Sequence, residues 1–510
     1  MDTTNIQAPI LRREGVNASE SFLKRLCDRS FLSLWSYSGV YRDQLDCPTA
    51  KIGKEVCDLL VIFQDHIIIF SDKDCDYPGG DDEQVNWQRW FKRAVRKSAE
   101  QIWGGERWIK AHPQRLFLDP ACTQRFPFPL PDPTTATFHR IVVAHGASNA
   151  CKRFFGGGSG SLMMDTTVVG SAHVAKDGKP FTIGQIDPAK GYIHVFDDTS
   201  LEIIMSTLDT VTDFVSYLTK KERFMTSGKA IFVTGEEELL AFYRKDINSG
   251  GEHDFIVPAD MDGLCIQEGM WEEYLSSPQR RSQVRADSVS YLWDGLIEQF
   301  NTHILSGTQY YTSHPGIEFS EQTMRFLVRE PRTRRRMLAQ VLLTMLETTS
   351  STQRRTVVVQ PSCLGDPHYV FLLLPHLSGV SYEDYREGRR YVLEDCCLIT
   401  KLMYPEALDI VGIATEATPI RTEHRSEDAM YFDARNWTEE MQKEARDIQQ
   451  DTGLLTNLTK HASTVREYPY QPKGAQHTSH VPSTPQMKGR DRNKLCFCGS
   501  GKKFKRCCGK

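Results

Sequence analysis

Gly53-Lys54-Glu55-Val56-Cys57-Asp58-Leu59-Leu60-Val61-Ile62-Phe63, then Gln64-Asp65-His66, then Ile67-Ile68-Ile69-Phe70-Ser71-Asp72-Lys73, is the stretch that decides the fold. Two apolar runs of strand length flank a polar turn, and polar residues close the far end of each run. Unbroken runs of this kind predict two buried strands over 58–73. Residues 53–58 are expected to close a helix and lead into the first strand. In a strand, residues i and i+2 share a face. Ser71 and Lys73 therefore point together, and Asp72 points away unless a bulge intervenes.

A long amphipathic helix is predicted next, over 86–109. Trp87, Trp90, Phe91, Ala94, Val95, Ser98 and Ile102 form a stripe at the 3.6-residue period. Gln101 falls inside that stripe and Lys97 at its edge. A glutamine on a buried face needs a hydrogen-bond partner. Arg89, Lys92, Arg93 and Arg96 lie on the other faces, where they are available to phosphate or simply solvated.

Strand, strand and helix in this order, with acids and a lysine at the strand ends, resemble the PD-(D/E)XK superfamily of restriction-endonuclease-like nucleases. In that family an Asp begins one strand and an acid-x-Lys triplet ends the next. The resemblance implies that Asp58 is the first acid and Lys73 the lysine. The family's second acid is replaced by Ser71, so the second carboxylate is expected either from Glu55 or from Asp72 turned inward by a bulge. Lys97 and Gln101 match the polar position of the family's following helix. By the same resemblance Glu55 and Asp58 would hold Mg²⁺ or Mn²⁺, with nucleic acid (DNA or RNA) as substrate. If neither Glu55 nor Asp72 completes the set, the site is a non-catalytic remnant. The plain alternative is that Asp58 caps a strand and Lys73 is an edge residue.

The chain's last segment carries a second signal. Cys496-Phe-Cys498-Gly-Ser-Gly-Lys-Lys-Phe-Lys-Arg-Cys507-Cys508 places two pairs of thiols around a glycine turn, a set that wraps a tetrahedral zinc ion. A disulfide pair is the weaker alternative, because the remaining cysteines show no disulfide framework. The pattern resembles the SEC-C motif, the zinc-binding tail of the SecA translocase that is appended to many bacterial proteins. A nuclease-like core joined to a SEC-C tail also resembles single-gene anti-phage defence proteins.

A chain of 510 residues is long enough for two or three domains. Its formal charge of −4 is no global nucleic-acid signature, so any such binding rests on local patches. The longest apolar runs (59–63, 67–70 and 370–374) are strand-length, and the first residues, Met-Asp-Thr-Thr-Asn-Ile-Gln, lack the basic and apolar regions of a signal peptide. No membrane partner and a cytoplasmic location are the expectations. The fold class expected is α/β, with a restriction-endonuclease-like core at 17–160. A mixed β/α region is expected at 161–285 and an α/β domain at 286–450. A flexible linker rich in Ser, Thr, Pro, His and Gln is expected at 461–494, before the zinc motif at 495–510.

Other features read less sharply. The loop Gly156-Gly-Gly-Ser-Gly160 lacks the Gly-Lys-Ser/Thr ending of a phosphate loop and is expected to be a flexible turn. His139, His145, His173 and His194 are spaced too irregularly for a metal and read as core or surface histidines. Asp197-Asp198 reads as a turn and cap for a following helix, and Cys396-Cys397 as a buried pair. Arg332-Thr-Arg334-Arg335-Arg336 suits phosphate, an acidic protein surface or solvent equally well. Two functions fit these features. One is a metal-dependent nuclease, with a protein trigger or partner bound by the zinc tail or the C-terminal half. The other is a non-catalytic adaptor or chaperone-linked factor that works through the tail.

Overall fold

A computed structural model describes residues 9–44, 53–314, 316–363, 365–417, 425–462, 464–469, 503 and 506. The chain is mixed α/β and divides into two compact units, Met1–Ser282 with Ile297–Ile317, and Gln283–Leu296 with Glu318–Lys510.

The first unit opens with α1 (Ala18–Phe31), then β1 (Ser36–Arg42), β2 (Lys54–Phe63) and β3 (His66–Lys73). A helical stretch comes next as α2 (Glu83–Trp90), a π-helical turn (Phe91–Arg96) and α3 (Lys97–Ala111), and then β4 (Thr137–Ala144). Beyond these lie α4 (Ser148–Phe155), β5 (Met163–Val169), β6 (Thr182–Gln185), β7 (His194–Phe196), α5 (Ser200–Thr207) and α6 (Val211–Met225). β8 (Ala230–Val233), α7 (Glu236–Lys245), β9 (Gly263–Ile266), α8 (Met270–Ser276) and α9 (Pro278–Asp287) complete the run up to α10 (Tyr291–Ser306).

The main sheet has the order β1-β2-β3-β4-β7. Its first three strands are antiparallel, while β4 runs parallel to β3 and β7 parallel to β4. The parallel step requires a crossover, which the α2–α3 stretch provides. Helices pack on both faces, which is why β2 and β3 read as continuous apolar runs. Phe31 of α1 meets Phe70 of β3 on one face, and Glu106 of α3 pairs with Arg140 of β4 on the other. A second sheet has the order β6-β5-β8-β9.

The strands and helices read from this region are present, with two corrections. Residues 53–58 do not close a helix: β2 begins at Lys54. The long helix is also not uniformly α. The π-helical turn has more residues per turn than an α-helix and shifts the phase of α3 behind it. The buried line therefore runs through Ser98, Ala99, Ile102 and Trp103, and Gln101 is left exposed.

The second unit contains α11 (Ile317–Val328), α12 (Arg332–Thr348), β10 (Arg355–Val359), β11 (His368–Leu374), α13 (Tyr382–Met403), β12 (Asp409–Glu416), β13 (Glu427–Asp433) and α14 (Glu439–Thr452). Its sheet has the order β10-β11-β12-β13, with β11 and β12 parallel and linked through α13. Cys396 and Cys397 are fully buried in its core, beside Leu393 and Ile410. The arginine knot is internal here. Arg332 and Arg335 bond to Asp294, Arg336 bonds to Asp287, and Arg335 also reaches the carbonyls of Glu330 and Val328. These guanidiniums are part of the packing rather than a phosphate grip. Among the described residues no helix is long and apolar enough to cross a membrane.

The seat of α3 on β2 gives a direct test. A Cβ added at Gly105 would stand 2.7 Å from the Val56 carbonyl oxygen, whereas at Gly104 the nearest atom is the end of Arg107, 4.0 Å away. Gly105→Ala is expected to lower stability by about 1–3 kcal/mol through overpacking. Gly104→Ala should be neutral or stabilising by up to about 1 kcal/mol, from helix propensity alone. Urea denaturation midpoints distinguish the two.

Candidate functional site

The site lies where β2 and β3 reach the same end of the main sheet. The β2–β3 ladder runs from Phe63↔His66 to Leu59↔Phe70. One step further, Asp58 stands opposite Ser71. Phe70 faces α1, so Ser71 and Lys73 face α3, and Asp58 lies on their face.

Glu55 joins Asp58 through an irregularity in the neighbouring pair. Val40 of β1 pairs with Cys57, but Tyr41 pairs with Glu55, so β2 carries one extra residue at this point. Such a bulge reverses the side-chain alternation and turns Glu55 toward the face of Asp58. Gly39 lies opposite Asp58 by the same count and holds a left-handed φ of 61° that favours glycine. Glu55 is thus brought beside Asp58 by a strand bulge.

Both carboxyl groups hold their protons tightly. Burial first, then the negative charges of Asp58 and Glu20, push Glu55 up to about 7. Burial likewise pushes Asp58 up to about 6, against the bond it accepts from the Asp72 main chain. Asp58 Oδ2 accepts from the Asp72 N–H at 2.6 Å and from Ser71 Oγ at 3.2 Å, and both bonds fall on that one oxygen. Glu20 is held by the start of α1, accepting from Val16 N and Asn17 Nδ2 in a capping arrangement.

Asp72 takes no part on this face. β3 pairs with β4 without interruption from His66 to Lys73, so no bulge turns Asp72 inward. Its carboxylate instead accepts from Ser19 Oγ at 2.5 Å and meets His145 Nε2 at 2.7 Å. His145 Nδ1 meets Asp198 at 2.6 Å, and Asp198 also accepts the Gly146 N–H. Burial opposes a charge on this ring, but the two carboxylates outweigh it and push His145 up to about 10. His145 is therefore an imidazolium shared by two acids, unlike His139, His173 and His194, which are buried in the core.

Lys73 ends β3 at an open cleft that it lines with Asp74, Cys75, Asp76 and Arg93. Arg93 is tied there through Cys75 Sγ and the Asp76 carbonyl. Lys97 and Gln101 are both exposed, and neither bonds to Asp58, Glu55 or Lys73. Asp197 does cap the turn before α5, accepting from the N–H groups of Thr199 and Ser200. Sequence reasoning missed Ser19, Glu20, His145 and Asp198. Only Glu20 left a signal, as the acid three residues after Asn17 at a helix start.

Oxygen donors such as Asp58 and Glu55 suit a hard divalent cation, and Asp58 keeps one oxygen clear of hydrogen bonds. Among the described residues no three His, Cys, Asp or Glu side chains converge to hold a metal. A cation here would thus draw its further ligands from water or substrate, as Mg²⁺ commonly does. Cys496, Cys498, Cys507 and Cys508 lie outside the described residues.

Comparison with known proteins finds the SEC-C motif, a motif of zinc-binding type, at residues 492–510. No curated protein and no solved structure matches the chain.

The carboxyl pair predicts a pH dependence. Asp58 and Glu55 bind a proton more tightly in the folded chain than at their ordinary values of 3.8 and 4.5. Their contribution to stability is fully present below about pH 4 and is lost as pH rises through about 6 and about 7. Asp58→Asn removes that loss for its own group. Its melting temperature relative to the unaltered chain should therefore rise between about pH 4 and pH 7 and then level off. A constant difference across that range would contradict the assignment.

Proposed function

We propose that this chain is a metal-dependent nuclease that hydrolyses phosphodiester bonds at the Asp58 site. The observation that carries the reading is the pair of half-buried carboxyls, Glu55 and Asp58, brought to one face and disfavoured as anions by burial, with the Asp58 charge adding to it at Glu55. Arg13 only partly offsets this charge at Glu55, and a divalent cation would supply the rest. The element order α1-β1-β2-β3-α3-β4, with Lys73 on the face of Asp58, agrees with the restriction-endonuclease-like arrangement that the sequence resembles.

In this reading Asp58 and Glu55 hold Mg²⁺ or Mn²⁺. The bound ion supplies Lewis acidity and lowers the pKa of water. Lys73 orients the attacking water and stabilises negative charge developing on the phosphoryl oxygens. Ser71, in the place of the family's second acid, keeps the Asp58 carboxylate in position through its hydroxyl. The exposed basic residues of the α2–α3 stretch contribute phosphate affinity without sequence selectivity. Anti-phage defence is the biological setting we propose.

A second reading has its own support in the SEC-C match at residues 492–510. There the chain is an adaptor that engages a protein partner through its zinc tail, and the serine at position 71 reflects a core without catalysis.

The deciding experiment is cleavage of plasmid DNA and of total RNA with Mg²⁺ or Mn²⁺, with and without chelator. Metal-dependent cutting that falls at least about 100-fold in Lys73→Ala and Asp58→Ala, both still folded, is the expected result. No cutting, together with a cellular effect that survives Asp58→Ala but is lost in Cys496→Ser/Cys498→Ser, would replace it with the adaptor.

A further inference from the structure

α4 starts three residues after His145 and ends in Lys152-Arg153-Phe154-Phe155, all four exposed. Phe154 is 46% exposed and Phe155 43%, unusual for two adjacent aromatic side chains. Their rings stand perpendicular, 4.9 Å between centroids, so one presents a face where the other presents an edge. Both lean on Phe181, which is fully buried and fixes the base of the pair.

The glycine loop behind them is fastened at its return, lies beside the Glu268 carboxylate at Gly158, and is open at its first two glycines. Cys151 Sγ bonds to the Ser161 carbonyl, and the Leu162 N–H bonds to Asp197. A Cβ added at Gly156 or Gly157 would meet nothing within 4 Å. The rings are therefore a supported ledge beside open space. An α-helix of this length spans on the order of 12 Å. The ledge thus lies about one short helix from His145, whose partner Asp72 donates its main-chain N–H to Asp58.

We propose that Phe154 and Phe155, flanked by Lys152 and Arg153, are a stacking platform for unpaired bases of a single-stranded nucleic acid. The proposal rests on the nuclease reading of the Asp58 site and names its substrate as single-stranded. Aromatic rings beside cations match the two surfaces that a single strand offers, a base face and a phosphate. A duplex hides its base faces within the stack and leaves the rings without a partner. The two cations also favour a polyanion over an apolar protein surface.

The test is binding of fluorescent oligo(dT), oligo(U) and a blunt DNA duplex by the full chain without added Mg²⁺ or Mn²⁺, followed by anisotropy. Single strands are expected to bind more tightly than the duplex. Phe154→Ala/Phe155→Ala should weaken single-strand binding roughly tenfold, and Phe154→Trp/Phe155→Trp should restore it. Lys152→Ala/Arg153→Ala should instead flatten the salt dependence. The oligo(dT) and oligo(U) arms distinguish DNA from RNA. Equal binding by the alanine variant and the unaltered chain, or no preference over duplex, overturns the proposal even if cleavage is intact. Phe-dependent binding that persists in Asp58→Ala, in a chain that never cuts, keeps the platform and rejects the nuclease.

Discussion

Asp72 is the residue on which the candidate site hangs. Its main-chain N–H fixes the Asp58 carboxylate on one face of the sheet. Its own carboxylate, on the other face, is gripped by Ser19 at the start of α1 and by His145 just past β4. Asp198, just past β7, holds the far side of the same imidazolium. The Asp72 side chain has no solvent exposure, and Ser19 and His145 satisfy its oxygens. One residue thereby joins α1, β2, β3 and the segments that come after β4 and β7.

That junction explains how a Ser-Asp-Lys sequence suits a strand end where the resemblance expects acid-x-Lys. Alternation assigns Ser71 and Lys73 to the face of Asp58 and Asp72 to the face of α1. Asp72 is committed to architecture, and the carboxyl group that accompanies Asp58 is Glu55 of the neighbouring strand. The serine then has a definite task, because its hydroxyl and the adjacent main-chain N–H meet the same oxygen of Asp58.

How much of this was legible in the sequence depends on the range of each interaction. The β2 and β3 runs and the outward turn of Asp72 depend on local alternation, and both were readable. The route taken by Glu55 was not, because a bulge belongs to a pair of strands and half of that pair sits across in β1. His145 and Asp198 meet across 53 residues of chain, and neither has a local pattern to mark it. Gln101 was misplaced because a constant 3.6-residue period cannot anticipate a π-helical turn. The arginine knot was ambiguous for a similar reason. A run of arginines reads alike whether it meets solvent or the carboxylates of Asp287 and Asp294.

The irregularity between β1 and β2 has one more effect. β1 is an outermost strand, and such a strand is a template on which another chain can add. Here Gly39 bends it, the pairing slips beside Val40, and the N–H and carbonyl of Tyr41 are both taken by Phe117. The distortion that delivers Glu55 thus also spoils the border for edge-to-edge aggregation. A regular β1–β2 ladder would both withdraw an acid and expose a sticky rim.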